Sequence, residues 1–165
     1  MGRRKRRKGG TLKDGERRQL ARASRHGPAP LPEAAAGRAL LLCDGGSRGN
    51  PGTAAIAAVL IDGDEVVERS ELIGHASAAE AEYRAIILGL ELAAEAGIPE
   101  LEVRCDSQLA IRAIEGGAAV AAPVFEAARG FRSVRWRWHP RGENEAADAL
   151  VRALLWPTLG RSPGA

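Results

Sequence analysis

From Ala39 onward the chain is divided into short apolar runs by glycine, proline and acidic breaks, and that rhythm limits it to alternating strands and helices. Ala39-Leu40-Leu41-Leu42-Cys43, stopped by Asp44-Gly45-Gly46, has the length and composition of a buried strand. Thr53 to Ile61 is a second such run, Asp62-Gly63-Asp64 a hairpin turn, and Glu65 to Ile73 the returning strand. Ser77-Ala78-Ala79-Glu80 has the form of a capping box, and the Ala/Leu/Ile pattern behind it predicts a helix to Ala96, ended by Gly97. Leu101 to Cys105 reads as a fourth strand, and Ser107 caps a helix ending at Gly116-Gly117. A short helix near Pro123 to Arg129, a fifth strand over Ser133 to Trp138 and a last helix from about Asn144 to Leu155 complete the pattern. The reading is one α/β domain over residues 39–156, followed by a tail over 157–165.

Hydrophobic residues make up 45% of the chain but aromatics only 4%, so the core must be built from Ala, Leu, Val and Ile. Nothing approaches the roughly 18 consecutive apolar residues of a membrane-spanning helix. Two cysteines without an export signal argue against a disulfide framework. A soluble, cytoplasmic protein that engages no membrane is expected. Charge is split along the chain. Residues 1–38 hold 12 Lys and Arg against Asp14, Glu16 and Glu33, whereas residues 39–165 hold 12 Arg against 18 Asp and Glu. The first segment reads as a disordered basic arm, because it has no aromatic and few leucines to bury. Its run Arg3-Arg4-Lys5-Arg6-Arg7-Lys8 could hold nucleic acid through phosphates, independent of base sequence.

Four carboxylates fall at element ends. Asp44 closes the first expected strand and Asp106 the fourth, while Glu82 and Asp148 lie early in the first and last long helices. Sites in open α/β sheets gather at the carboxyl ends of strands. Taken singly, Asp44 also reads as a turn former, Asp106 as part of a helix cap, and the other two as solvated helix charges. A cluster of them would be costly without a cation, and oxygen ligands without His or Cys suit Mg²⁺ or Mn²⁺.

The flanking residues carry a resemblance. Asp44-Gly45-Gly46-Ser47-Arg48-Gly49-Asn50-Pro51-Gly52 resembles the first-strand signature of the ribonuclease H family. Ala81-Glu82-Tyr83-Arg84-Ala85, Asp106-Ser107-Gln108 and Asn144-Glu145-Ala146-Ala147-Asp148-Ala149-Leu150 resemble its next three acidic motifs, in family order. The resemblance spans nearly all of residues 39–155. It implies a ribonuclease H-like fold, a five-stranded mixed sheet in the order 3-2-1-4-5 flanked by helices. It also implies a monomeric endonuclease that cuts the RNA strand of RNA–DNA hybrids, leaving 5′-phosphate and 3′-hydroxyl ends. Two Mg²⁺ ions, or Mn²⁺, would be held by Asp44, Glu82, Asp106 and Asp148, with Asp44 shared between them. Gly45, Asn50 and Gln108 match substrate-contact positions. Alternation would send Cys43 and Cys105 to the face opposite the carboxylates, as neighbouring reduced core thiols.

Three departures stand out. Ser77-Ala78-Ala79 occupies the place where many members carry Thr-Asn-Asn, which weakens the expected hybrid preference. His139 is the nearest match to the mobile His of bacterial members, and is read here as a strand-end residue. The segment between Ile114 and Phe125 is too short for the basic protrusion with which some members grip DNA. Two alternatives stay open: a catalytically weak or silent nucleic-acid-binding domain of the same fold, and a nuclease of that fold preferring another duplex.

Overall fold

A computed structural model describes residues 31–157 of the chain. Three strands come first: β1 (Ala39–Arg48), β2 (Gly52–Asp62) and β3 (Glu65–Ala76). They are followed by α1 (Ala78–Glu95), β4 (Glu100–Cys105), α2 (Gln108–Glu115), α3 (Ala122–Ala128), β5 (Ser133–Trp138) and α4 (Glu145–Leu155). Short 3₁₀ turns at Ala119–Ala121 and Arg141–Glu143 precede α3 and α4. The sheet order is β3-β2-β1-β4-β5, with β1 antiparallel to β2 and parallel to β4, so the expected mixed sheet is present.

Local chemistry accounts for the breaks. The β2–β3 hairpin pairs Asp62 with Glu65 across Gly63 and Asp64, and Gly63 takes the positive φ of 57° that such a tight turn requires. Ser77 caps α1 by accepting from the Glu80 amide at 3.1 Å, but only half of the capping box forms, because the Glu80 carboxylate turns to Arg84. Ser107 caps α2 by accepting from the Ala110 amide at 3.2 Å. One boundary differs in a way that matters. The first strand was expected to stop at Cys43, yet β1 runs on to Arg48. Its parallel ladder with β4 ends at Cys43–Cys105, while its antiparallel ladder with β2 continues through Asp44–Ala57 to Arg48–Thr53.

Alternation divides the sheet into two faces. Leu41, Cys43, Val103 and Cys105 point into the larger core under α1, α2 and α3. Leu40, Leu42 and Val59 point the other way, against Ala147 and Leu150 of α4. The two cysteines are register partners on neighbouring strands, buried and unbridged. Burial pushes the Cys105 thiol up to about 12 and the Cys43 thiol upward as well.

Residues 33–38, expected within the disordered arm, are packed on the domain. Arg38 donates to the Leu101 and Ser133 carbonyls and to Ser133 Oγ, and Ala34 lies against the α4-side core. The rest of the expected arm, residues 1–30, and the expected tail beyond residue 157 lie outside the described residues.

Candidate metal centre

The parallel β1–β4 ladder delivers two carboxylates side by side. Cys43 and Cys105 are paired, so the next residues, Asp44 and Asp106, leave the sheet at the same level and on the α4 side. The third acid arrives from the opposite layer. Gly45 has no Cβ, and one placed there would collide with the Ala81 carbonyl and sit 2.7 Å from the Glu82 amide. The first turn of α1 therefore rests directly on β1 and lowers Glu82 toward Asp44. A ligand oxygen from each of Asp44, Glu82 and Asp106 lies within 4.8 Å of the others.

Burial makes this cluster expensive. Asp44 is 5% exposed and Glu82 9%, and Glu82 Oε2 has no hydrogen-bond partner. Burial first, then the neighbouring carboxylates, pushes Asp44 up to about 7 and Glu82 up to about 9. A buried, unpartnered carboxylate oxygen among all-oxygen donors fits a hard divalent cation.

Asp148 stands beside this trio rather than in it. Its negative charge raises the Asp44 pKa, but its Oδ2 is held by Arg152 at 2.8 Å, one turn along α4. Asn144 ties that helix to the site: its buried Nδ2 donates to the Cys43 carbonyl at 2.8 Å, while its Oδ1 is buried without a partner. The bond joins the first turn of α4 to the residue preceding Asp44, so Asp148, four positions on, faces the cluster.

The residues matched to substrate contacts are not gathered in the same way. The Asn50 side-chain oxygen accepts from the Ala78 amide at 3.0 Å and staples the β1–β2 turn to the start of α1. Gly45 is covered by α1 itself, and Gln108 is exposed at the first position of α2. His139 sits at the end of β5, with its amide donating to the Cys105 carbonyl and its Nδ1 2.8 Å from Glu143 Oε2. Arg141 was not singled out from the sequence. Its Nε donates to Asp106 Oδ2 at 3.1 Å, and its charge lowers the pKa of both Asp44 and Glu82. Only the seven-residue distance to Asp148 and the turn after Pro140 hinted that this arginine would fold back over the acids.

Comparisons with known proteins give the family and the fold. A family model described as "Reverse transcriptase-like" matches residues 42–154. Ribonuclease HI of Halobacterium salinarum is 40% identical over 129 residues, covering 72% of this chain and 65% of that protein. The crystal structure of RNase H1 from that archaeon superposes with a TM-score of 0.68 at 39% identity, covering 72% of this chain and 98% of that one. The N-terminal RNase H domain of a bifunctional protein of Mycobacterium tuberculosis gives a TM-score of 0.68 at 32% identity, covering 72% of this chain and 93% of that one. In sequence, the match spans only 35% of the full mycobacterial protein. LC11-RNase H1, isolated from compost and solved in complex with an RNA/DNA hybrid, gives a TM-score of 0.66 at 31% identity, covering 72% of this chain and 96% of that one.

Proposed function

The chain belongs to the ribonuclease H family, and on that footing we propose that it is a metal-dependent endonuclease cutting the RNA strand of RNA–DNA hybrids. The observation that carries this reading is the convergence of Asp44, Glu82 and Asp106 within 4.8 Å, from two strands and a helix of separate layers. Nothing in the packing of the core requires three acids there. Asp44, Glu82 and Asp106 would hold Mg²⁺ or Mn²⁺, with Asp148 completing the set. Bound divalent ions supply the positive charge that draws a phosphodiester into an acidic site, activates water, and offsets charge developing in the transition state.

The protein's share is positional. Asn144 holds α4 against β1, Gly45 admits α1, and Arg141 keeps Asp106 turned toward the cluster. The Asp44 backbone is held rigid by continuation of the β1–β2 ladder past it. Asn50 and Gln108 are the proposed contacts along the substrate strand, while Gly45, buried beneath α1, serves by admitting that helix. The Asn50 oxygen is already engaged by Ala78, which leaves its amide nitrogen to donate. Where related chains carry an Asn pair, Ala78 and Ala79 offer no side-chain hydrogen bond, so discrimination between hybrid and other duplexes is expected to be modest.

The test is cleavage of labelled RNA–DNA hybrid, RNA duplex, DNA duplex and single strands in Mg²⁺ and in Mn²⁺. Metal-dependent cutting of the RNA strand of the hybrid, leaving 5′-phosphate ends and abolished in Asp44→Asn, is the expected result. No cleavage of any substrate in either ion would overturn the hydrolase reading.

A further inference from the structure

The face of the sheet that carries Asp44 and Asp106 is only half covered. Helix α4 packs across β1, β2 and β3, and among the described residues no helix lies on the same face of β4 and β5. Which side chains occupy that open face follows from alternation. Val134 and Trp136 pack into the larger core on the opposite side, so Arg135 and Arg137 point to the open side. Register places Arg135 beside Glu102 and Arg137 beside Arg104, two positions before Asp106.

The charge of this strip runs against the rest of the domain. Residues 39–165 are acidic overall, yet between Arg129 and Arg141 there are five arginines and no Asp or Glu. Three of the five are engaged: Arg129 with Glu126, Arg132 with Glu100, and Arg141 with Asp106. Two acids share this face of β4: Glu100 lies within ion-pair distance of Arg38 and Arg132, and Glu102 is taken by Arg104 at 2.7 Å, while a second nitrogen of Arg104 donates to the Glu33 carbonyl. Arg135 and Arg137 are exposed, and no carboxylate among the described residues lies within ion-pair distance of either. From strand geometry, Arg137 is roughly 8 Å from Asp106 within the sheet, close enough for both to face neighbouring phosphates of one duplex.

We propose that the open face of β4 and β5 is a second nucleic-acid contact, where Arg135 and Arg137 bind backbone phosphates of the duplex flanking the cut. The occupant is a polyanion, because the strip presents two exposed guanidiniums with no carboxylate of the described residues in ion-pair distance. Guanidinium suits the task, since its planar fork can hold a phosphate through two parallel hydrogen bonds. The location beside Asp106 gives the strip the same substrate as the metal centre, and in that respect the inference rests on the nuclease reading above. It supplies a grip that the short segment between Ile114 and Phe125 does not.

The experiment measures binding of a labelled RNA–DNA hybrid to the full chain across a salt series, with kcat and KM determined alongside. Arg135→Ala/Arg137→Ala should lower the slope of log affinity against log salt by about two. KM should rise about tenfold at moderate salt with kcat at saturation unchanged, a loss at the scale set by two phosphate contacts. Arg135→Lys/Arg137→Lys should restore most of the slope. Arg129→Ala/Arg132→Ala removes the same net charge from paired arginines and should leave the slope unchanged. An unaltered slope in the first variant, or an equal fall in the last, would overturn the proposal. Binding is read without cleavage, so a wild type that binds with the expected slope yet cuts nothing would sink the hydrolase reading alone.

Discussion

At Asp44 and Glu82 the cost of burial and the capacity to bind a cation have one origin. Both folded pKa values, about 7 and about 9, lie above the ordinary carboxylate range, so the folded chain keeps protons that the unfolded chain releases. The sign follows directly. Without a divalent ion, these groups make stability fall as pH rises from about 4 to about 9, and a cation that displaces the protons stabilises more as pH rises through that window. Melting temperatures in chelator and in Mg²⁺ from acid to alkaline pH should therefore diverge, and curves that stay parallel would contradict the assignment. Asp44→Asn should raise the stability of the metal-free protein by about 1–3 kcal/mol at alkaline pH and abolish the Mg²⁺ response. His139→Ala should cost less than about tenfold in kcat, because its ring is turned to Glu143 and not to the acids.

Between elements, two contacts set the spacing of the acids. Gly45 lets α1 touch β1, and Gly45→Ala would force the Ala81 and Glu82 backbone outward. A loss of about 1–3 kcal/mol in urea unfolding is expected, together with a higher Mg²⁺ requirement. The second contact is the bond from Asn144 to the Cys43 carbonyl, which holds α4 at the height where Asp148 faces Asp44. Asn144→Ala should destabilise by about 1–2 kcal/mol and raise the Mg²⁺ concentration for half-maximal activity several-fold. Unchanged Mg²⁺ dependence would reduce Asn144 to a purely structural tie.

For the whole molecule, charge is split along the sequence between a basic first segment and an acidic remainder, whose proposed substrate is a polyanion. The compact unit that carries the sheet begins at Pro32, with Arg38 bonded across to β4 and β5. Removing residues 1–31 should leave the unfolding midpoint unchanged while weakening hybrid binding and flattening its salt dependence. A salt slope identical to that of the full chain would exclude the arm from binding. No helix among the described residues is long and apolar enough to cross a membrane.

Most of the fold was legible in the sequence because each break carries its own chemistry: Gly63 in the hairpin, Ser77 and Ser107 at the caps, Gly97 after α1. The four acids stood out because their motifs follow a family order, and the structure brings Asp44, Glu82 and Asp106 together. The extension of β1 past Asp44 was not, because Gly45 and Gly46 read as a turn unless a partner strand is present to pair with them. Arg141 over Asp106, the staple from Asn50 to Ala78 and the sheltering of Gly45 by α1 were equally invisible, since each joins residues far apart along the chain. Local propensity and pattern suffice for which segments form and which residue types can bind a metal. Only packing decided that three carboxylates share one volume, that Asp148 pairs with Arg152 beside them, and that among the described residues no helix covers β4 and β5 on the α4 side, because those outcomes depend on distances between elements.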